Sequence, residues 1–581
     1  MPDSQFWDIV EGGSVSRRGF LHGAALTSAA AVLAACTGGA ASAPSTTAGA
    51  RLSRHAIDRL VEGQVQAARG LPKEVILRLW RGWRADRAGE IITVPKGFDF
   101  FDGGISHSTP WPYTQDIPMV WHGPGVIPAR GAVNRPVTSA DIAPTLARMI
   151  GFSEFHAPDG DPMEEVLPAN GVQPKLVVVL VWDAAGNYVL NLWPKVWPNL
   201  KALLANSTRY TQATVGSSPS TTAPFHATLG TGGFPRRHGV LDNFIRTPSG
   251  DLRDPWAQGP SGMLGHTLAD LYGPAMGDRA AVGLFATLPW HLGMLGHGST
   301  DPKRQPIAVL RMKGLNAAAK AASSGKAETG AEGIKWGLTD AQASHYRFPS
   351  YINDLPPIKA YFRYADLADG VADGKWRGHD IPSLKLGFDT PARIPYQNRA
   401  IEEVIKREGF GHHEKPDLLF LNYKLIDEIG HLFTASSPEM RDCIKAQDEN
   451  LPKFVDFLDR QVGKGKWVLF ITADHGHTAD PSVSGGFRIR ETLADGHVEQ
   501  HFGASPQHPL IEKFRPGWLY IDREAFARAG ATTGEVGRYL TTLTKHDVTV
   551  DPTSIPTGSR SDRVVQASFP ATVLDKLVGS S

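Results

Sequence analysis

Three uninterrupted apolar runs stand out along the chain: Leu176-Val-Val-Val-Leu-Val181, Leu418-Leu-Phe-Leu421 and Val468-Leu-Phe-Ile471. Runs of this length without polar alternation read as strands buried on both faces of a sheet. Each leads to a carboxylate: Asp183 after Trp182, Asp427 shortly beyond Leu421, and Asp474 after Thr472-Ala473. Glu74 to Leu79 and Ile117 to Trp121 read as further strands. Thr138 to Ile150 reads as a capped helix closed by Gly151, and Ser437 to Leu458 as a long helix. Gly160 to Gly171, with Pro162 and Pro168, reads as a connection. From Thr247 to about Arg393 the pattern weakens among Gly, Pro and aromatic residues, with an Ala/Gly/Lys stretch near 316–332. An inserted cap is expected there. Strand and helix alternation resumes from Ile401 to Asp474, 480–515 reads as a His-rich loop, and the last sixty or so residues return to α/β patterning. The expected class is α/β with a mostly parallel central sheet.

Composition narrows the function classes. The 581 residues carry 60 basic and 59 acidic side chains with no basic patch, which argues against a nucleic-acid surface. Two cysteines, Cys36 and Cys443, provide neither a disulfide framework nor a thiolate zinc site, so any metal must be held by His, Asp, Glu and hydroxyls. Cys443 falls on the long helix and reads as a small packing residue. Ser16-Arg17-Arg18-Gly-Phe20-Leu21 is a twin-arginine pattern, followed by the apolar run Ala24 to Ala35. Leu33-Ala34-Ala35-Cys36 resembles a bacterial lipoprotein cleavage site; the alternative is a plain signal peptide with an incidental cysteine. The expectation is export by the twin-arginine route and anchoring through a lipid at Cys36 on the outer face of the bacterial cytoplasmic membrane. No protein partner is evident. The expected layout is 1–36 signal peptide, 37–51 tether, 52–168 an N-terminal segment, 169–246 and 394–581 the core, and 247–393 the cap.

Asp474-His475-Gly476 and Asp427-Glu-Ile-Gly-His431 each place a carboxylate and an imidazole just after a buried strand. Mixed ligands of this kind suit hydrolytic Zn²⁺, and two such groups point to two metals. Asp183 is either a ligand or a cap for the next helix. In Ser220-Thr221-Thr222-Ala-Pro224-Phe-His226, Pro224 fits the first turn of a helix, which puts Thr222 at its N-terminal edge. There the dipole favours an alkoxide and an incoming phosphoryl group.

These stretches together resemble the nucleotide pyrophosphatase/phosphodiesterase branch of the alkaline phosphatase superfamily. The resemblance runs over Val178 to Asn243, through Asp183, Thr222-Ala-Pro224-Phe-His226 and Arg237-His238-Gly239-Val-Leu-Asp242-Asn243. It resumes over Asn398 to Gly476, with Ser437-Pro-Glu439 and Asp448 beside the two ligand motifs. It implies an alkaline phosphatase-like three-layer sandwich and two divalent ions, taken as Zn²⁺, acting on a small phosphorylated substrate. Asp183, Thr222, Asp474 and His475 would surround one ion, and Asp427 and His431 would hold the other. Thr222 would be the nucleophile, with Ser220 and Thr221 nearby, and Asn243 would donate to a phosphate oxygen. His226, His238 and His477 would organise the site rather than ligate.

The second ion still lacks a histidine, and His477, His497, His501 and His508 lack the family's surroundings for it. The fitting motif is Gly104-Ile-Ser-His107-Ser-Thr-Pro110-Trp-Pro-Tyr113-Thr-Gln-Asp116-Ile-Pro118, which resembles one that relatives carry near the C-terminus. The chain therefore reads as circularly permuted, with 52–168 supplying what relatives place last and His107 completing the set. The Lys and Arg that clamp a monoester dianion in relatives have no counterpart along Val282 to His297, which favours diesters. Within that stretch Trp290 and His291 are candidates to stack on a base or to contact the leaving group, with core packing the chief reading of Trp290, and His297 reads as either structural or functional. Alternatives are an alkaline phosphatase-type monoesterase or a degenerate ligand-binding lipoprotein. A sulfatase is opposed by the missing Cys/Ser-x-Pro-x-Arg context.

Overall fold

The computed structural model describes residues 62–578 apart from 64, 67, 102–106, 169–171, 257–258, 312–334, 505–506 and 516. The twin-arginine stretch, Cys36, the tether, the Ala/Gly/Lys stretch and Gly104 to Ser106 lie outside the described residues. The expected buried runs lie side by side in a nine-stranded sheet. After β1 (Ile91–Pro95), which belongs to a smaller sheet, its strands are β2 (Met119–His122), β3 (Gly131–Thr138), β4 (Leu176–Trp182), β5 (Thr208–Thr214) and β6 (Val282–Phe285). They continue as β7 (Ile307–Arg311), β8 (Trp336–Gly337), β9 (Asp417–Tyr423) and β10 (Trp467–Thr472). The spatial order is β8-β7-β6-β9-β4-β10-β2-β5-β3.

The run β7-β6-β9-β4-β10 is parallel throughout. Every residue of β4, β9 and β10 is buried, as expected of parallel strands covered on both faces. Their ends are level: Tyr423 faces Trp182, and Thr472 faces Val181. Residues that follow these strands therefore converge on one edge, where open α/β sheets carry their sites. β2 runs antiparallel to β10 with Met119 opposite Thr472. The chain leading into β2 thus crosses the edge at which the parallel strands end, and this brings the segment around His107 to the same place.

A second, antiparallel sheet has the order β11-β12-β1-β13, with β11 (Ile511–Arg515), β12 (Trp518–Ile521) and β13 (Val565–Pro570). β1 lies between two strands from the far end of the sequence, Ile91 facing both Leu519 and Pro570. Arg515 Nε donates to Asp242 Oδ2 at 3.0 Å and ties this sheet to the loop carrying Asn243.

Three expectations are corrected. Glu74 to Leu79 is not a strand but part of helix α1 (Lys73–Gly82). Its buried positions, Val75, Arg78, Leu79 and Gly82, recur with helical spacing, and Pro72 precedes its first turn. The stretch read as a His-rich loop contains a helix at Glu491–His501 and strand β11. That helix buries only Ala494, Asp495 and Val498, so its apolar signal is too thin to see in sequence. Finally, residues 282–285, 307–311 and 336–337 of the stretch read as an inserted cap are β6, β7 and β8 of the central sheet. The remaining helices that bear on the site are α2 (Ile142–Met149), α3 (Thr222–Thr231), α4 (Leu425–Phe433) and α5 (Pro438–Leu458). α2 and α5 fall where they were expected, and buried Cys443 packs on α5.

Two motif glycines are explained by close approach. A Cβ on Gly476 would lie 2.1 Å from the Tyr113 carbonyl oxygen, and the Gly476 N–H donates to Thr114 O at 2.9 Å. A Cβ on Gly430 would lie 2.6 Å from the His477 ring. Gly476→Ala is expected to lower the unfolding free energy by about 1–3 kcal/mol through overpacking against backbone. Gly496→Ala, in the 491–501 helix with open space around it, should raise it by about 0.5–1 kcal/mol. Denaturant unfolding of the two variants beside the parent checks both signs.

Candidate metal centre

The level strand ends place Asp183, Asp427 and Asp474 together, all buried, with His107 and His475 buried beside them. Asp183 follows β4 directly and Asp474 follows β10. Asp427 and His431 sit one turn apart on α4, which starts immediately after β9. His107 arrives from the approach to β2 and stacks on His475, with centroids 3.7 Å apart and planes 8° apart.

Five ligand-spaced groups occur among the described residues. Three of them, His107/Asp427/His475, Asp183/Asp474/His475 and Asp427/His431/His477, interlock at this edge. The atoms are aimed by second contacts. His107 Nδ1 faces Ser220 O at 2.9 Å and His475 Nδ1 faces Gly476 O at 2.9 Å. Each Nδ1 therefore carries its proton, and each Nε2 is turned to the carboxylates. Asp474 Oδ1 accepts the Ala184 N–H at 2.9 Å, while Oδ2 lies 3.2 Å from His475 Nε2. Asp427 Oδ1 lies 3.4 Å from His107 Nε2 and 3.5 Å from His431 Nε2. Donor atoms at the corners of a tetrahedron around zinc stand about 3.3 Å apart, given metal–ligand bonds of about 2 Å.

Asp427 Oδ1, Asp474 Oδ2 and His475 Nε2 are buried without a hydrogen-bond partner among the described residues. Buried polar atoms left in this way are costly, and the two carboxylate oxygens call for positive charge. These donors fit divalent metal, and their oxygen and imidazole chemistry suits Zn²⁺.

A residue overlooked in the sequence lies at the middle. Lys424 ends the β9–α4 connection, and its Nζ contacts Asp183 Oδ1 at 2.8 Å, Asp427 Oδ2 at 2.7 Å and Thr222 Oγ1 at 2.9 Å. Burial opposes its charge, but Asp183, Asp427 and Asp474 outweigh burial and hold the ammonium above its ordinary range. Burial likewise opposes ionisation of Asp183 and Asp427, and Lys424 is the largest influence that pulls both below the usual carboxylate range. Asp474 goes the other way, raised by burial and by Asp183. Burial works against charge on His475 too, yet Asp474, Asp427 and Asp183 push it up to about 9. His107 is pushed down by burial and by His475, and His477 by burial and His431 to about 3. One detectable signal for Lys424 was its spacing: three residues before Asp427 at a helix start, it shares that carboxylate's face.

Thr222 is the first residue of α3, and its carbonyl meets His226 Nδ1 at 2.7 Å. Ser220 Oγ donates to His107 O at 2.6 Å, a latch to the N-terminal segment, and Thr221 Oγ1 has no hydrogen-bond partner among the described residues. Of the three hydroxyls, Thr222 alone touches Lys424. Asn243 Oδ1 accepts the Ala223 N–H at 3.1 Å, which holds its amide against the first turn of α3 and leaves Nδ2 outside that bond.

Behind Asp183 stands a support layer. Asn422 Nδ2 donates to Asp183 Oδ2 at 2.8 Å and lies 3.2 Å from His226 Nε2, and His291 Nε2 lies 3.3 Å from the same oxygen. His291 therefore reaches Asp183, where its sequence position suggested stacking on a base or contact with the leaving group. His226 and His291 form a ligand-spaced group with Asp183, but their nitrogens are engaged in orienting it. Trp290 is buried with its Nε1 on Asp254, and His297 is paired with Asp270 at 2.9 Å, the residue that caps Leu268–Met276. His238 Nε2 meets Thr228 Oγ1 on α3, and Asp448 caps the helix at Pro198–Leu204.

A family model described as type I phosphodiesterase / nucleotide pyrophosphatase matches residues 177–563. The chain is 24% identical over 372 residues to alkaline phosphatase PhoV of Synechococcus elongatus, covering 57% of this chain and 64% of that protein. It is 24% identical over 251 residues to alkaline phosphatase PafA of Elizabethkingia meningoseptica, covering 39% and 44%. The chain thus spans less than two thirds of either relative. A crystal structure of wild-type alkaline phosphatase PafA aligns with a TM-score of 0.43 at 17% identity, over 69% of this chain and 85% of that one.

Asn422→Ala removes the donor that fixes Asp183 Oδ2. Zn²⁺ retention, measured by competition with a chelator, is expected to weaken by about 10- to 100-fold. Unchanged retention would show that Asn422 plays no part in ordering the ligand.

Proposed function

The chain belongs to the type I phosphodiesterase / nucleotide pyrophosphatase family, within the alkaline phosphatase superfamily, and on that footing we propose that it hydrolyses phosphoric esters at this centre with Thr222 as nucleophile. The observation that carries the reading is the meeting of Thr222 Oγ1 with the two carboxylate–imidazole sets around Lys424. One divalent ion would be held by Asp183, Thr222, Asp474 and His475, and the other by Asp427, His431 and His107. When bound, such ions act as Lewis acids on the nucleophile, the phosphoryl oxygens and the leaving oxygen.

The chain's own residues set up the rest. Thr222 at the start of α3 presents its oxygen where helix N–H groups favour negative charge. Lys424 Nζ lies 2.9 Å from that oxygen, and its charge, kept nearby by the pairing with Asp427, favours the ionised form. Attack forms a Thr222 Oγ–phosphorus bond as the ester oxygen departs, and water then cleaves the phospho-threonine in a second in-line step. Asn243 steadies the transferring group through its amide NH₂. Asn422, His226 and His291 keep Asp183 oriented throughout.

The missing Lys/Arg pair supports a phosphodiester or pyrophosphate substrate. A phosphate monoester is the second reading, supported by the Lys424 cation 2.9 Å from Thr222 Oγ1, which adds positive charge where a dianion would bind. The permuted order is also proposed. It is supported by His107 facing Asp427 and by β1 lying between the late strands β12 and β13. Export and lipid anchoring at Cys36 are proposed from the leader pattern alone.

Zn²⁺-loaded protein assayed side by side on bis-p-nitrophenyl phosphate and p-nitrophenyl phosphate should favour the diester; faster monoester turnover selects the second reading. Thr222→Ala should lower kcat by at least about 10³-fold, the scale seen when such groups are removed, with bound metal counted alongside so that loss of the nucleophile is separated from loss of an ion. Equal turnover by parent and variant would overturn the nucleophile. His107→Ala should bring metal content towards one ion per chain; two retained ions would place the missing ligand elsewhere.

A further inference from the structure

The two ligand sets are not equally engaged by the chain itself. In the set His107/Asp427/His431, one oxygen, Asp427 Oδ1, lies 3.4 Å from His107 Nε2 and 3.5 Å from His431 Nε2. Lys424 takes the other oxygen of Asp427, Oδ2, and so leaves that face alone. In the set Asp183/Thr222/Asp474/His475, the oxygen of Asp183 that approaches His475 Nε2 is Oδ1, at 3.9 Å. Oδ2 is committed to Asn422 and His291. Lys424 Nζ sits on that same Oδ1 and on Thr222 Oγ1, two of the four donors of this set.

We propose that Lys424 is a resident cation that competes with the divalent ion for Asp183 and Thr222, so that the centre fills in a fixed order. The His107/Asp427/His431 position takes its ion first and tightly. The position beside the nucleophile takes its ion second and more weakly. The reason is charge and reach. An ammonium bonded to two donor oxygens must rotate away, giving up charge-assisted hydrogen bonds, before a doubly charged ion can use both. Lys424 cannot go far, because it is tethered at the start of α4 and still pairs with Asp427. The first ion leaves that pair in place, whereas the second breaks the Asp183 and Thr222 contacts. Ester hydrolysis would then follow the supply of divalent cation over a range in which the first position is already full. The inference rests on the two-metal reading above.

The test is calorimetric titration of chelator-stripped protein with Zn²⁺, with bound metal counted after desalting. The parent is expected to show two steps separated by about tenfold or more, the scale on which groups around metal ligands tune affinity. Lys424→Met should tighten the weaker step by about tenfold and move the tighter one by less than about threefold. Lys424→Arg, which keeps a cation, should preserve two unequal steps. Two equal steps in the parent, or a Met variant whose weaker step fails to tighten, would overturn the proposal. The parent titration alone decides the matter if the Met variant does not fold. His107→Ala separates the two levels of argument. Loss of the tighter step alone supports the assignment of the positions, retention of both steps removes His107 from the set, and a single step in the parent defeats the two-metal reading itself.

Discussion

Three buried carboxylates share one edge of the sheet, and the surroundings answer to their charge. Asp183, Asp427 and Asp474 lie close enough for a single ammonium to touch the first two and to feel the third. Burying such a group without compensation costs several kcal/mol per ion even after relaxation. The fold meets that cost with Lys424, with backbone N–H and amide donors on the outer oxygens, and with imidazoles whose Nε2 atoms face inward. Asp474 Oδ2 and Asp427 Oδ1 remain without protein hydrogen bonds among the described residues. A cluster that demands external positive charge is suited to holding divalent ions, and a phosphoryl group in transfer is what such ions stabilise best.

The N-terminal segment is part of the centre and not an addition to it. Because β2 runs against β10, the chain before β2 passes over the ends of the parallel strands. His107 stacks on His475 there, Ser220 bonds to the His107 carbonyl, and Gly476 presses against Tyr113 without room for a Cβ. These contacts give the Ser220 hydroxyl and the absence of a side chain at Gly476 a structural reason. Each serves the docking of a distant piece of chain. The same segment anchors the second sheet through β1, so the geometry at His107 depends on packing at both ends of the sequence.

Legibility in the sequence followed signal strength. Fully buried parallel strands such as β4, β9 and β10 leave unbroken apolar runs, and the carboxylates just beyond them were visible for that reason. α1 reads as a strand because its Val75-Ile-Leu run is continuous and apolar, whereas two of the positions that complete its helical face, Arg78 and Gly82, carry no apolar signal. β6 and β7 were lost in a stretch of irregular composition, although both pair in the core. The spacing of Lys424 to Asp427 is a weak signal, because a lysine three residues before a carboxylate at a helix start is as often a solvated ion pair. Only the convergence of three anions makes it a buried ion. His291 is a similar case, since its partner Asp183 lies more than a hundred residues away.

The sequence by itself determined the chemistry on offer: which residue types follow the buried strands, a threonine at a helix start, and histidines in place of thiolates. Those features are local, written in short-range patterns that hydrophobic burial and helix capping impose. The tertiary structure alone decided which donors face one another, which oxygen of each carboxylate is committed to the protein, and that an ammonium stands among them. Those outcomes depend on strand register, strand direction and the close approach of segments far apart in the chain, and no local pattern encodes them.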